Sequence, residues 1–213
     1  MPPRLIFVML PLLASVVSFR AQGETLDRIA VTVGRHVISE RDTLQDIRIA
    51  AFIDGKPAEV NGEQKRKAAD RLIDQYLVLE DAASTRASLP SAADATVILA
   101  PIKARYGSDQ AYRSALGQAQ ITEEELSEHL LRGLQMLRYT DLRFRPEVQL
   151  SDENLRSFYN QLAAKGDHLQ SFEASRTEIE KLLTDQQAMQ ALDRWLGMTR
   201  SETTILYRDA VFQ

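Results

Sequence analysis

Hydrophobic positions in this chain first alternate and then run at helical spacing. From Leu26 to Asp42 the sequence is LDRIAVTVGRHVISERD. Ile29, Val31 and Val33 fall on one side of this stretch and Ala30 and Thr32 on the other, the period-two pattern of a strand. Gly34-Arg35 offers a two-residue turn and His36-Val37-Ile38 a short return strand. Ser39 is an N-cap with Asp42 at N3, where a carboxylate suits the positive end of the helix dipole. One further stretch has strand character, Thr203–Tyr207 at the far end. A lone two-stranded hairpin is marginal in water. The pattern therefore predicts that the first and last strands meet and close a mostly helical body between them.

That body reads as a series of amphipathic helices. The helix opened by Ser39 continues through Leu44, Ile47, Ile49 and Phe52 and stops at Asp54-Gly55-Lys56-Pro57, with glycine at the stop and proline beyond. Asn61-Gly62-Glu63-Gln64 opens a second, whose stripe is Leu72, Ile73, Tyr76, Leu77, Leu79 and Ala83 and which Ser88-Leu89-Pro90 breaks. Ser91 to Tyr106 is a third, with Val97, Ile98 and Ile102 inside and a kink or break at Pro101. Asp109 to Leu116 is short and ends at Gly117. Thr122-Glu123-Glu124-Glu125 is a capping box; Leu126, Leu130, Leu134 and Leu137 run down one face behind it, widened by Leu131, Met136, Tyr139 and Leu142, until Pro146. Ser151 caps a sixth helix holding Leu155, Phe158, Tyr159 and Leu162 and ending at Lys165-Gly166. The last runs from about Phe172 to Thr199 with Ile179, Leu182, Leu183, Met189, Leu192, Trp195 and Leu196 on its apolar face.

Composition narrows the compartment and the chemistry. Arg4, an apolar run from Leu5 to Phe19 and Ala21-Gln22-Gly23 form a secretory signal peptide over residues 1–23. The alternative is an uncleaved anchor, but the run falls short of the roughly 20 residues that span a bilayer. The reading places the chain in the periplasm. Removing residues 1–23 takes away Arg4 and Arg20 and no acid, so the net charge of −4 becomes −6. No strongly basic stretch remains, which argues against nucleic acid as a partner. The chain has no cysteine, which excludes disulfides, thiol catalysis and cysteine metal sites. His36, His129 and His168 are far apart, and no pair has the i, i+4 spacing of a zinc helix. No glycine-rich nucleotide-binding motif is present, and neither a cofactor nor a small-molecule substrate is expected.

The order of these parts carries a resemblance. The signal peptide, the LDRIAVTVGRHVISERD hairpin and cap, and the KAADRLIDQYLVLEDA helix together resemble the N-terminal region of SurA-type periplasmic chaperones. ITEEELSEHLLRGLQMLRYTDLRFRPEVQLSDENLRSFYNQL looks like the continuation of that region, and SFEASRTEIEKLLTDQQAMQALDRWLGMTRSETTILY resembles the C-terminal helix and strand that fold back on it. The resemblance implies a mainly α, multi-helix chaperone core over residues 24–213, with an N-terminal region 24–165 and a C-terminal helix and strand 171–213, closed by a small antiparallel sheet. It implies binding of unfolded or nascent outer-membrane proteins without ATP. Members of the family usually insert a parvulin prolyl isomerase domain. Between Tyr159 and Phe172 this chain has only NQLAAKGDHLQS, where such a domain needs on the order of 90–100 residues. No isomerase activity is expected. The alternative is a structural or assembly subunit whose helices are buried in a homodimer or an envelope complex.

Phe52, Tyr76, Leu77, Met136 and Tyr139 are candidate lining residues of an apolar client groove, because Met and aromatic side chains re-pack around varied partners. The plainer reading of each one is a core position, as its spacing requires. Trp195 is expected to lock the last helix against the first. Glu123, Glu124 and Glu125 are explained by the capping box rather than by acid–base or metal chemistry, and Ser39 and Asp42 by a cap rather than a hydrolase pair. His129, one turn from Glu125, is expected on a solvated face, and His36 is expected to be exposed near the turn.

Overall fold

The structure is a computed structural model that describes residues 27–164 and 170–213. The leader expected at residues 1–23 and the helix end expected at Lys165-Gly166 lie outside the described residues. Among those residues the protein is mainly α. Seven helices accompany one three-stranded antiparallel sheet, in which the N-terminal hairpin is joined by the C-terminal strand.

β1 (Ile29–Val33) and β2 (His36–Ser39) form the hairpin. Its turn has a positive φ at Gly34, 57°, where a side chain would be strained. β3 (Ile205–Tyr207) pairs with the other edge of β1, setting Val31 opposite Tyr207 and Val33 opposite Ile205. The first and last strands therefore meet as the alternation requires. The Gly34 amide donates to Thr204 O and the Arg208 amide to Ala30 O, each at 2.8 Å, extending the ladder at both ends. One expectation is corrected. The β1–β2 register shifts between Ile29 and Val31, so Ala30 is an extra residue in a bulge. Ile29 drops out of the alternation and is exposed, whereas Ala30, Val31 and Val33 are all buried.

α1 (Glu40–Asp54) starts at the Ser39–Asp42 capping box and ends at Gly55, where φ is 67°. α2 (Gly62–Ser84) is capped by Asn61 and stops short of the predicted break. α3 (Ala92–Ala104) contains Pro101 and is not split by it. Proline removes the bond to the Val97 carbonyl, but Val97 is 73% exposed and water can reach that end of the turn. Of the positions expected inside, Ile102 is buried, Ile98 is half-buried and Val97 is exposed; Ala95 and Leu99 complete the buried face. α4 (Asp109–Ala119) runs through Gly117 to Gln120. α5 (Glu123–Arg143) has the Thr122–Glu125 capping box, α6 spans Asp152–Ala164 and α7 spans Phe172–Glu202. Leu137, Leu142, Leu182 and Met189 are exposed rather than part of the buried stripes, as is Ala83.

Three apolar clusters result. The largest joins the sheet to α2 and to the C-terminal parts of α5 and α7 through Val31, Ile73, Leu77, Tyr139, Leu192 and Leu196. The second joins α1, α3, α4 and the start of α5 through Ile49, Phe52, Leu99, Tyr112 and Leu126. The third is smaller: Leu155 of α6 against Ile179 and Leu183 of α7. Trp195 packs at a tilt against Tyr139 and Phe144, at 5.6 and 6.3 Å between ring centroids. It fastens α7 to α5, not to α1 as expected.

The chain end closes over the start of α2. Lys65 Nζ donates to Glu40 Oε1 at 2.7 Å and to Val211 O at 3.1 Å, and Arg66 lies 3.7 Å above the Tyr207 ring. A Cβ on Gly62 would sit 1.9 Å from Phe212 O, so this approach requires glycine. Arg200 on α7 donates to Asp74 and Asp70 of α2, tying the last helix to the second. No helix among the described residues is long and apolar enough to cross a membrane.

Candidate functional site

α2 carries more apolar surface than the main core uses. Ile73, Leu77 and Val78 face that core. Leu72, Gln75, Tyr76 and Leu79, at i, i+3, i+4 and i+7, form a second stripe. α1 presents a stripe of the same spacing, Asp42, Gln45, Asp46 and Ile49. The two stripes wall a recess of about 340 Å³, closed by His36, Val37 and Ile38 of β2 and by Glu128 and Arg132 of α5. Its walls are mixed: aliphatic from Val37, Ile38, Ile49, Leu72 and Leu79, aromatic from Tyr76, polar from both helices. The Tyr76 ring stacks on His36 with centroids 4.2 Å apart and planes within 5°. Burial, then the Glu80 carboxylate one turn on, raises the Tyr76 phenol above its ordinary 10.0.

Charges in the recess are matched in place. Asp46 is 3% exposed. Its Oδ2 accepts from Arg71 Nε at 3.0 Å, and His129 Nδ1 lies 3.4 Å from its Oδ1. Burial pushes the Asp46 carboxyl up, but His129 and Arg71 outweigh it and hold the group below its ordinary 3.8. Asp42 is occupied by the α1 cap, accepting from the Ser39 amide at 2.8 Å. Glu128 lies 3.8 Å from Arg132. Hydrogen bonding is not matched in the same way. Gln75 Oε1 of α2 and Arg132 Nε of α5 are buried without a hydrogen-bond partner among the described residues. Asp46 Oδ1 and His129 Nδ1 face each other at 3.4 Å, and among the described residues the Tyr112 hydroxyl is the one further buried side-chain atom without a partner. Native proteins leave few such atoms, so two of them at one recess mark it as a place where a guest can bind.

No family model matches this chain, and no curated protein matches it.

The five residues singled out by sequence do not line one groove. Tyr76 lines the α1–α2 recess. Phe52 is buried in the second cluster, stacked on Tyr106 at 5.5 Å, and borders a separate recess of about 570 Å³ formed with Gly55–Ala58. Leu77 is core, and Met136 is half-buried against the same core. Tyr139 is buried, donates its hydroxyl to Asp81 Oδ2 at 2.7 Å and borders a third recess of about 390 Å³ beside Leu142. The carboxylates of Glu123, Glu124 and Glu125 sit at the start of α5, where Glu125 accepts from the Thr122 amide at 2.7 Å. His129 is neither solvated nor paired with Glu125; it turns inward to Asp46. Asp46, Gln75 and Arg132 were not singled out. The signal available was a carboxylate on α1 among Thr43, Ile49 and Phe52, a polar residue on a face that is otherwise core. Among the described residues no group of three or more His, Asp or Glu is placed to hold a metal ion.

Proposed function

We propose that the chain is an ATP-independent holdase of the SurA type, which binds unfolded polypeptides, outer-membrane protein precursors above all, after export to the periplasm. The α1–α2 recess is the observation that carries this reading. It offers apolar wall and hydrogen-bonding atoms together, which is what an unfolded chain presents. The meeting of the N-terminal hairpin with the C-terminal strand supports it too, since that closure is what the resemblance implies. Client capture and release then follow binding equilibria alone. The test is aggregation of an unfolded outer-membrane β-barrel protein diluted from denaturant, with the mature chain added at stoichiometric and higher ratios. Suppressed light scattering is the expected result; no effect at any ratio sinks the proposal.

A second reading is an assembly subunit buried in a homodimer or envelope complex. Leu182 and Met189 favour it: both are exposed, seven residues apart on one face of α7. Light scattering for mass, with binding of an apolar dye, separates the two. A stable dimer that binds no dye supports the subunit; a dye-binding monomer supports the holdase.

A further inference from the structure

The recess adjoins an open strand edge, and the two together define a docking mode. Val33 and His36 close a two-residue hairpin and so exchange hydrogen bonds; Thr32 and Val37 are the next pair, at which antiparallel strands do not bond. The alternation directs the Val37 N–H and C=O away from β1. β2 is an edge of the sheet, and Val37 is 47% exposed. An outward donor and acceptor on an edge strand are the requirement for adding an extended segment. Such a segment lies against the recess that Val37 itself lines.

The recess sets what side chain enters. Its charged groups are already compensated, so a charged guest brings an unmatched charge into a partly buried space. What is unmet is one acceptor, Gln75 Oε1, and one donor, Arg132 Nε. A carboxamide carries two N–H donors and one carbonyl acceptor. Resting on the chaperone reading above, we propose that an extended polypeptide adds to β2 at Val37 and places a glutamine or asparagine side chain in the α1–α2 recess.

The test is direct binding to the purified chain, followed by fluorescence anisotropy. Short labelled peptides of alternating valine and threonine carry Gln, Leu, Lys or Glu at the centre. The glutamine peptide binds about tenfold more tightly than the other three, the ratio that one or two net hydrogen bonds supply. Gln75→Leu and Arg132→Met each shrink that ratio toward one while the leucine peptide keeps its affinity. Val37→Pro removes the outward N–H, spares the ladder to β1, and weakens every peptide. Methylating the peptide's backbone nitrogens on one edge weakens binding, and on the other edge does not; this arm leaves the protein untouched. Equal affinity across the four peptides, or tightest binding of the lysine peptide, overturns the carboxamide assignment. Indifference to methylation on both edges overturns strand addition, and absence of binding by any peptide overturns both. If the chain suppresses aggregation and Val37→Pro suppresses it equally, the docking mode falls and the holdase reading stands.

Discussion

Asp46 is a carboxylate turned almost wholly inward, and its partners differ in how far they can retreat to water. The Arg71 side chain is 45% exposed, the Asp46 side chain 2%. Removing Arg71 strands a buried charge beside His129 alone; removing the Asp46 charge leaves a guanidinium that water reaches. Arg71→Met is therefore expected to destabilise the fold by roughly 2–3 kcal/mol near neutral pH and Asp46→Asn by about 1 kcal/mol, the exposed arginine discounting both. The pH dependence has a definite sign. The folded Asp46 carboxyl lies below 3.8, so near that pH the unfolded chain binds the proton more readily, and the pair's contribution is whole above it and lost as pH falls through the folded value. Glu40, held below 4.5 by the Lys65 hydrogen bond, loses its contribution in the same direction. Urea midpoints near neutral pH and at about pH 3 should show the gap between wild type and Arg71→Met narrowing in acid. A gap that widens in acid is incompatible with this account.

At the scale of elements, the signals that were legible are local chemistry. Ser39–Asp42 and Thr122–Glu125 each place a hydroxyl three residues before a carboxylate, and both form the reciprocal caps that this spacing allows. Gly55 ends α1 because it takes a left-handed conformation without cost. The ends of α2 and α4 were misplaced for the converse reason. Arg86 and Gln120 hold the left-handed positions there, with φ of 55° and 56°, and nothing in an arginine or a glutamine announces it. The bonds from Ala87 N to Ala82 O and from Ile121 N to Leu116 O show the wrap that a glycine usually marks. The recess was illegible for another reason: one periodic stripe on α2 serves two surfaces, and only packing divides them. Strand pairing was legible in pattern, though the bulge at Ala30 was not, since an inserted residue leaves the alternation on either side intact. The clasp of β1 with β3 yields an element-level expectation. Val31 is fully buried between β2 and β3, so Val31→Asp brings a charge with no partner into the main core and costs several kcal/mol, enough to abolish cooperative unfolding. Ile205→Asp, at a half-buried edge position, should leave a weakened but cooperative transition. Circular dichroism during heating distinguishes them, and a Val31→Asp variant that melts like wild type would show the sheet to be dispensable.

For the whole molecule, the three clusters differ in what holds them. The main and second clusters share α5, whose start lies in one and whose end lies in the other, so neither separates without breaking a helix of 21 residues. The third cluster has no such tie through α6, whose packing is chiefly against α7. Three buried side chains, Leu155, Ile179 and Leu183, hold it, at about 1.5–3 kcal/mol for each fully buried apolar side chain before the entropy of ordering two helices is set against them. α7 is 31 residues, about 46 Å long, and its C-terminal half is anchored independently by Leu192, Trp195 and Leu196. The arm can therefore open without disturbing the sheet. Arg145 sets where the opening stops, because it bridges Asp141 of α5 and Asp185 of α7. Native-state hydrogen exchange should find the amides of α6 and of α7 before Asp185 opening with free energies roughly 2 kcal/mol or more below those of α2, α5 and the later turns of α7. Mass spectrometry of peptic fragments gives that comparison directly. Raising ionic strength should leave the apolar contacts of the arm in place and weaken the half-exposed Arg145 bridges, moving the boundary of fast exchange past Asp185 toward Ala188. Equal protection along the whole of α7 would mean that α6 and the long helix belong to the same cooperative unit as the sheet.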